Sequence, residues 1–565
     1  MNSPDPSLPI DSPRSEGPPS PTPYFVRGST VFAAALLSTT FLLLSYWPLW
    51  HSDIWGHLKY GEWIVRHHRL PEKELFLSPE DQQPYIGFYW LMQASSYALF
   101  SLGERLAGGD ELHRSAGGAE LLAAQYAALS LLSCYLQLLA YRRTSGSTPL
   151  ACMGLILAVA TVSRVQRPQV AGEVCFAAVL WALSGPMLSR RALLLIPLCL
   201  ALWANLHGSY AAGLVLIGLF FVGRLIDVGR AAGSWRWKTL TGDVQVRRLF
   251  LAGLLSTLAV ALLNPHGPRL FVDTLLFSQL PNVPAMDEWN PLDFRWGYGD
   301  HWLYIGTIIL VIVAQIVSPR LLSPTALLLC VSFGAMPLKS QRMLIWWYML
   351  VPWIVLPAWA EFGRSLKWSW LHYRSEATGG KTLMAVSFVV LAVWLSPPSR
   401  WLRSGQPRPL DRILGLGTPW QLADQLTRSN AKTYYPELAN ALNDYPDRRY
   451  HGAIFTTLTQ GDYLLWSLPA DVPVLMYSHV HLFSEKYFRN CIQVLTAEPG
   501  WRGALDREGV NMVVVEVEDH PQLTQALKAD PEWKIVVDET GLSSKPDSRT
   551  RLLVAVRKVP LAANN

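Results

Sequence analysis

Charge is scarce in this chain: of 565 residues, only 16% are Asp, Glu, Lys or Arg. An ordinary soluble protein has about 25%, so this composition does not suit a water-soluble protein of such length. Cysteine is scarce too. Five of the six (Cys134, Cys152, Cys175, Cys199 and Cys330) lie in apolar runs and only Cys491 lies in a polar region. No two have metal-ligand spacing, which excludes a disulfide framework and a cysteine zinc site. There is no Gly-rich phosphate loop in the C-terminal part and no internal repeat, the mark of many transporters. A net charge of +6 does not indicate nucleic acid as a partner. The basic residues come instead as short clusters between apolar runs, the pattern of cytoplasmic loops.

What the chain does have is apolar length. Half its residues are hydrophobic and 24 are Trp, a residue that collects at membrane–water boundaries. Residues 1–28 are rich in Pro and Ser and read as a disordered cytoplasmic tail, too long and polar to be a cleaved signal peptide. A first span is expected from Thr30 to Trp50, close to the roughly 20 residues that cross hydrocarbon. Further apolar runs lie near 86–102, 119–141, 149–163, 168–186, 192–206, 210–227, 249–263, 301–317, 322–338, 343–360 and 382–396.

Arg142-Arg143, Arg190-Arg191, the stretch from Arg224 to Arg248, Arg320, and the stretch from Arg364 to Lys381 set the cytoplasmic side. Asp53, Arg167, His207, His266 and Glu288 then face outward, as does the C-terminal part. The runs so counted are even in number, whereas a cytoplasmic N-terminus and an external C-terminus need an odd number. Parity breaks between residues 86 and 141, so an odd total of roughly 11–13 spans is expected.

The organisation expected is therefore mainly α. A polytopic transmembrane helical bundle (29–397), with external loops at 51–85 and 265–300, leads through a linker (398–445) to a small extracytoplasmic α/β domain (446–565). The linker carries an amphipathic helix around Pro436 to Asn443. Beyond it, β-like runs at Ala453 to Thr457, Val472 to Tyr477, Asn511 to Val517, Lys534 to Val537 and Arg551 to Val556 alternate with helix-like stretches such as Gln522 to Ala529.

The chemistry signal follows the first span. Asp53 lies within a turn of the membrane exit, and His57, four residues on, shares its helical face. Trp55 and Trp63 suit a helix lying at the interface, which Leu70-Pro71 ends. A carboxylate at headgroup depth can act as general base on an acceptor facing a lipid-linked substrate. The plainer role for Asp53 is an N-cap.

This stretch resembles the first loop of GT-C-type polytopic membrane glycosyltransferases, in particular bacterial relatives of protein O-mannosyltransferases and lipid-A sugar transferases. The resemblance is carried by Asp53, Trp55, His57-Leu58, Gly61, Leu70-Pro71, Glu74, Phe76, Ser78 and Trp90-Leu91, in that order. Later landmarks are similar: Arg167-Pro168-Gln169, Asn205-Leu206-His207-Gly208, Asn264-Pro265-His266-Gly267, Glu288-Trp289, Arg342 and Gly461-Asp462-Tyr463-Leu464. The chain departs from the pattern at Glu74, where Asp is commoner, at Gly56, which replaces an aromatic, and at Ser478-His479-Val480, which replaces an Asp-Gly-Arg-like turn. The resemblance implies transfer of a sugar from a polyprenyl-phosphate donor to an acceptor outside a bacterial inner membrane, with Asp53 as base or acceptor-orienting group.

Each further landmark has two readings. Arg167 and Gln169 suit a phosphate by the guanidinium's donor fork, or snorkel to headgroups. Asn205 and His207 meet a phosphate or join helices by hydrogen bonds. Lys339 and Arg342 sit against the positive-inside rule, which an anionic lipid phosphate explains. Glu74 and Glu288 are candidate second carboxylates, Glu288 being otherwise a solvated loop acid. A divalent metal is compatible with Asp53, His57 and Glu288, although no spacing demands one. Two other functions stay open: a polar-lipid or sugar transporter or flippase, and a non-catalytic membrane assembly protein.

Overall fold

The computed structural model describes residues 25–50, 53–161, 167–295, 301–368, 375–427, 433–443, 450–540 and 551–561. Most of the expected N-terminal tail lies outside the described residues.

The chain is mainly helical. The helices used below are α1 (Gly28–Tyr46), α2 (Asp53–His67), α3 (Trp90–Ala107), α4 (Glu111–Ser145), α5 (Thr148–Thr161), α6 (Gln169–Leu183), α7 (Ala192–Leu206), α8 (Tyr210–Ala232), α9 (Val244–Leu263), α10 (His301–Val317), α11 (Pro324–Ala335), α12 (Leu344–Ser365), α13 (Gly379–Leu395) and α14 (Leu458–Ser467). Among the described residues α1, α4, α8, α9 and α12 are long and apolar enough to cross a membrane. A sixth is added if α13 and Pro397–Ser404, bent by 61°, form one broken span. The remaining apolar helices of this region are shorter.

The run at 86–102, expected as a second crossing, is α3, and it is not among these apolar helices. Gln93, Glu104 and Arg105 interrupt it, and it lies against α2. Gly61 permits that crossing, because a Cβ there would run into the Gln93 carbonyl group.

α2 is amphipathic. Lys59, Glu62 and Arg66 pair along its outer face, at 3.4 and 2.7 Å, while Ile54, Trp55, Leu58, Tyr60 and Ile64 are buried. Trp55 was expected at the lipid–water boundary. It is instead enclosed, 2% exposed, edge-on to Phe100 of α3 and Tyr463 of α14. The cause is the C-terminal part of the chain, which covers α2 from the other side.

That part carries a four-stranded mixed sheet of order β1-β2-β4-β3, formed by Ala453–Phe455 (β1), Val510–Glu516 (β2), Trp533–Asp538 (β3) and Leu552–Arg557 (β4). β1 runs parallel to β2; β4 is antiparallel to both β2 and β3. Four of the five expected strand runs are strands, and the expected helices are found at Pro436–Leu442 and Pro521–Ala529. The run at Val472 to Tyr477 contributes only a bridge, Ile454 to Val474. Pro473 lacks an N–H, which limits regular pairing there.

Apolar burial forms two main cores. One unites α2, α3 and part of α4 with the sheet: Ile54, Leu58 and Phe100 pack in the same cluster as Leu464, Val474 and Val513. The other lies within the helical bundle around Phe176, Trp203, Phe333 and Trp346. Polar residues gather where the two cores meet.

Candidate active site

At that junction lies a cavity of about 490 Å³. One wall is the start of α2, with Asp53 and His57. Facing it are Arg167 and Gln169 at the start of α6, His207 after α7, Glu288 and Arg342 on loops, and His479 and His481 from the C-terminal part.

Asp53 is the first residue of α2, where the unpaired N–H groups and the helix dipole favour a carboxylate. Its Oδ2 lies 3.8 Å from Arg167 Nε. Arg167 also pairs with Glu288, and Glu288 pairs in turn with Arg342. The two guanidiniums thus share one carboxylate while a second stands close to Arg167. Burial lowers the Arg167 pKa, with the Arg342 charge adding to that effect and Asp53 opposing it. Arg342 also stacks over Trp289, 5.1 Å from the ring centre, and its Nη2 is 3.4 Å from His207 Nε2. Ser209 holds the other ring nitrogen of His207, its backbone N–H donating to Nδ1 at 3.1 Å. Burial, then the Arg342 and Arg167 charges, lower the His207 pKa well below its ordinary value.

The loops that bring these groups together are tied to one another. Ser340 donates to the Glu288 carbonyl at 3.1 Å, and the Gln341 N–H donates to the Asn290 carbonyl at 2.9 Å. The Asn282 amide reaches the carbonyls of Val480 and Phe483, at 2.9 and 3.0 Å. The loop carrying Glu288 therefore bridges the bundle and the C-terminal part.

A buried polar chain reaches His57 from two sides. Tyr85 donates to Gln93 Oε1 at 2.6 Å, which directs the Gln93 amide N–H groups to His57 Nδ1 at 3.0 Å. His57 Nδ1 is therefore an acceptor, and the neutral ring carries its proton on Nε2. His479 Nε2 stands 3.3 Å from the same Nδ1. The opposite nitrogen of His479 lies 3.7 Å from Asp462 Oδ1. Ser478 donates to Asp462 through its backbone N–H and its hydroxyl, both at 3.1 Å. Burial, then His479, pull the His57 pKa well down. Burial lifts the Asp462 carboxyl, opposed by its hydrogen bonds and by His479. His481 is brought down to about 3, chiefly by burial.

Of the residues singled out from sequence, Asp53, His57, Arg167, Gln169, His207, Glu288 and Arg342 line the cavity. Glu74, Asn205 and Lys339 lie elsewhere. Glu74 is buried and receives the N–H groups of Phe76 and Leu77 at 2.6 and 2.7 Å, with the hydroxyls of Tyr60 and Tyr477. Asn205 accepts from the Trp90 indole at 2.7 Å and from Asn264 at 3.2 Å, clasping α3, α7 and the end of α9. Lys339 is exposed. His266, in the Asn264-Pro265-His266-Gly267 turn, accepts the Gly87 N–H at 3.1 Å. Among the described residues no three His, Cys, Asp or Glu side chains gather as a metal site.

Sequence reasoning missed His479 and His481 as cavity groups, and Asp462 as the buried partner of His479 behind them. A signal for His479 was present in the departure at Ser478-His479-Val480, which lies against a second departure, Gly56.

No protein-family model and no curated protein matches the chain. Solved structures do. The chain shares its fold with archaeal oligosaccharyltransferases. One is AglB from Archaeoglobus fulgidus in complex with an inhibitory peptide and a dolichol-phosphate, at 12% identity and a TM-score of 0.52 over 87% of this chain and 69% of that one. Another is the Archaeoglobus fulgidus enzyme tethered to an acceptor peptide containing the NVT sequon, at 13% identity and a TM-score of 0.50 over the same shares. At such identity the likeness concerns the fold alone.

Proposed function

We propose that this chain is a GT-C-type membrane glycosyltransferase that moves a sugar from a polyprenyl-phosphate donor to an acceptor at the extracytoplasmic face of a bacterial inner membrane. The observation that carries the reading is Asp53 standing in one cavity with Arg167 and Arg342, at the end of an apolar helical bundle. The archaeal neighbour that holds a dolichol-phosphate in the same fold supports it.

In this reading the donor phosphate meets Arg167 and Arg342, with Gln169 and His207 beside them, and takes the position of the Glu288 carboxylate. Asp53 accepts the proton of the acceptor nucleophile. The acceptor atom bonds to the anomeric carbon while the bond from that carbon to the phosphate oxygen breaks. Polyprenyl phosphate leaves with the added negative charge, which the two guanidiniums stabilise. A single displacement inverts the anomeric centre. His57, held by Gln93 and His479, orients groups beside Asp53.

The reading includes a topology. With α3 placed outside the membrane beside α2, α1 and α4 to α13 make eleven crossings, the odd number that a cytoplasmic N-terminus and an external C-terminal domain (446–565) require.

The test is transfer itself. The full chain in nanodiscs is given a panel of polyprenyl-phosphate hexoses and pentoses with candidate acceptors, and released polyprenyl phosphate and product anomer are read. Acceptor-dependent release with an inverted product is expected. Recovery of every donor chemically intact, after movement between leaflets, would favour a flippase instead.

A further inference from the structure

A second cavity, of about 310 Å³, lies at the other end of the bundle. α6 connects the two: Gln169 at its start lines the first cavity, and Ser184, just past its end, lines the second. Fifteen helical residues at the α-helical rise separate them by about 22 Å. The second cavity therefore belongs to the opposite side of the bundle, where the basic loops lie.

Its walls come from the last turns of α4 and α10, the turn after α6, the start of α11 and the middle of α12. Arg143 and Arg320 both line it, and no Asp or Glu does. Arg143 is fixed by donating to the Trp181 carbonyl at 2.6 Å and by stacking 4.3 Å over the Trp181 ring. Neither contact neutralises its charge. Gln315 uses its Oε1 to accept the Leu322 N–H at 2.9 Å, which leaves its amide N–H groups for a ligand. Ser323 caps α11 by accepting the Ala326 N–H at 3.2 Å and keeps its hydroxyl proton to donate. Trp353, donating to Ser184 at 2.8 Å, adds an apolar wall. Two guanidiniums, an amide and a hydroxyl around one cavity without a carboxylate form a receptor for a tetrahedral oxyanion.

We propose that this cavity binds the phosphate of an anionic lipid headgroup, in the leaflet opposite the sugar site. Soluble phosphate presents the same chemistry, but a basic pocket between membrane helices on the cytoplasmic side sits where anionic headgroups concentrate. The proposal rests on the topology of the sugar-transfer reading but not on sugar transfer itself.

The full chain, purified in detergent, is examined by native mass spectrometry and thermal shift with phosphatidylglycerol, phosphatidylcholine or inorganic phosphate. The wild type is expected to retain and be stabilised by phosphatidylglycerol in preference to phosphatidylcholine. The Arg143→Gln/Arg320→Gln pair is expected to bind it about tenfold more weakly. The Arg143→Lys/Arg320→Lys pair should keep most of the binding, which separates loss of charge from misfolding. Stabilisation by inorganic phosphate alone, with no preference between the lipids, would support an anion site and assign it to soluble phosphate. Equal phosphatidylglycerol retention by the wild type and the Gln pair would overturn the proposal, as would a wild type that responds to neither anion.

Discussion

Gly56 and His479 meet face to face: a Cβ on Gly56 would stand 2.8 Å from His479 Cε1 and 2.9 Å from its Nδ1, and would also collide with the Asp462 carboxylate. The glycine is the space in which the C-terminal part inserts its Asp462–His479 pair against α2. Gly56→Ala should therefore lower stability by about 1–3 kcal/mol through overpacking. Adding His479→Ala should recover part of that loss, since groups in contact act non-additively. Thermal unfolding of the two single variants and the double variant checks this, and strict additivity would contradict it.

Glu74 binds two backbone N–H groups of the first loop and the Tyr477 hydroxyl of the C-terminal part. Its role is to clamp these together. Glu74→Gln should reduce stability by about 2 kcal/mol, the scale of a lost hydrogen bond to a charged group. Turnover below the unfolding range should be unaffected; a selective loss of turnover would contradict a purely clamping role.

Glu288 occupies both Arg167 and Arg342. Glu288→Gln should free the guanidiniums for an anionic ligand and tighten polyprenyl phosphate binding by about tenfold. Scintillation proximity with labelled polyprenyl phosphate measures it. Weaker binding would mean that Glu288 holds the arginines in their binding positions instead.

The buried histidines set a pH dependence. His481 has its folded pKa at about 3 against an ordinary 6.5, and His57 and His207 are shifted in the same direction. Between those limits the unfolded chain binds more protons than the folded one, so stability falls as pH falls below about 6.5. The slope is about 1.4 kcal/mol per pH unit for each such histidine. His481→Asn should make the unfolding temperature less steep between pH 6 and pH 4. An unchanged slope in that variant would show that His481 is not the group titrating.

The fold was legible where local pattern and tertiary burial agree. The short continuous apolar runs at β2 and β4, buried at every position, and the polar-faced helix at α2 can be read from local pattern alone. The parity conflict around 86–141 centres on α3, which is apolar enough to suggest a span but whose Gln93 hydrogen-bonds His57 of α2; the proposed topology resolves it by placing α3 outside the membrane. Reading Trp55 as interfacial failed because composition shows that a residue seeks cover, and only the fold shows what covers it. The cavity was legible through Asp53, Arg167, His207, Glu288 and Arg342, each at a break between apolar runs. His479 was not, because its contact with His57, across more than 400 positions, leaves no spacing to recognise. Glu74 and Asn205 read as site groups but satisfy buried backbone and indole donors, a role that polar residues in such loops share with true ligands.

In the proposed reaction Asp53 acts on the acceptor while Arg342 holds the donor, and one paired measurement separates the two: turnover and polyprenyl phosphate affinity in Asp53→Asn and Arg342→Gln. Asp53→Asn should keep donor affinity within about twofold and lose turnover by at least about 100-fold, the range for a positioned general base. Arg342→Gln should weaken donor binding by about tenfold. Wild-type turnover in Asp53→Asn, with the protein folded and the donor bound, would contradict the account.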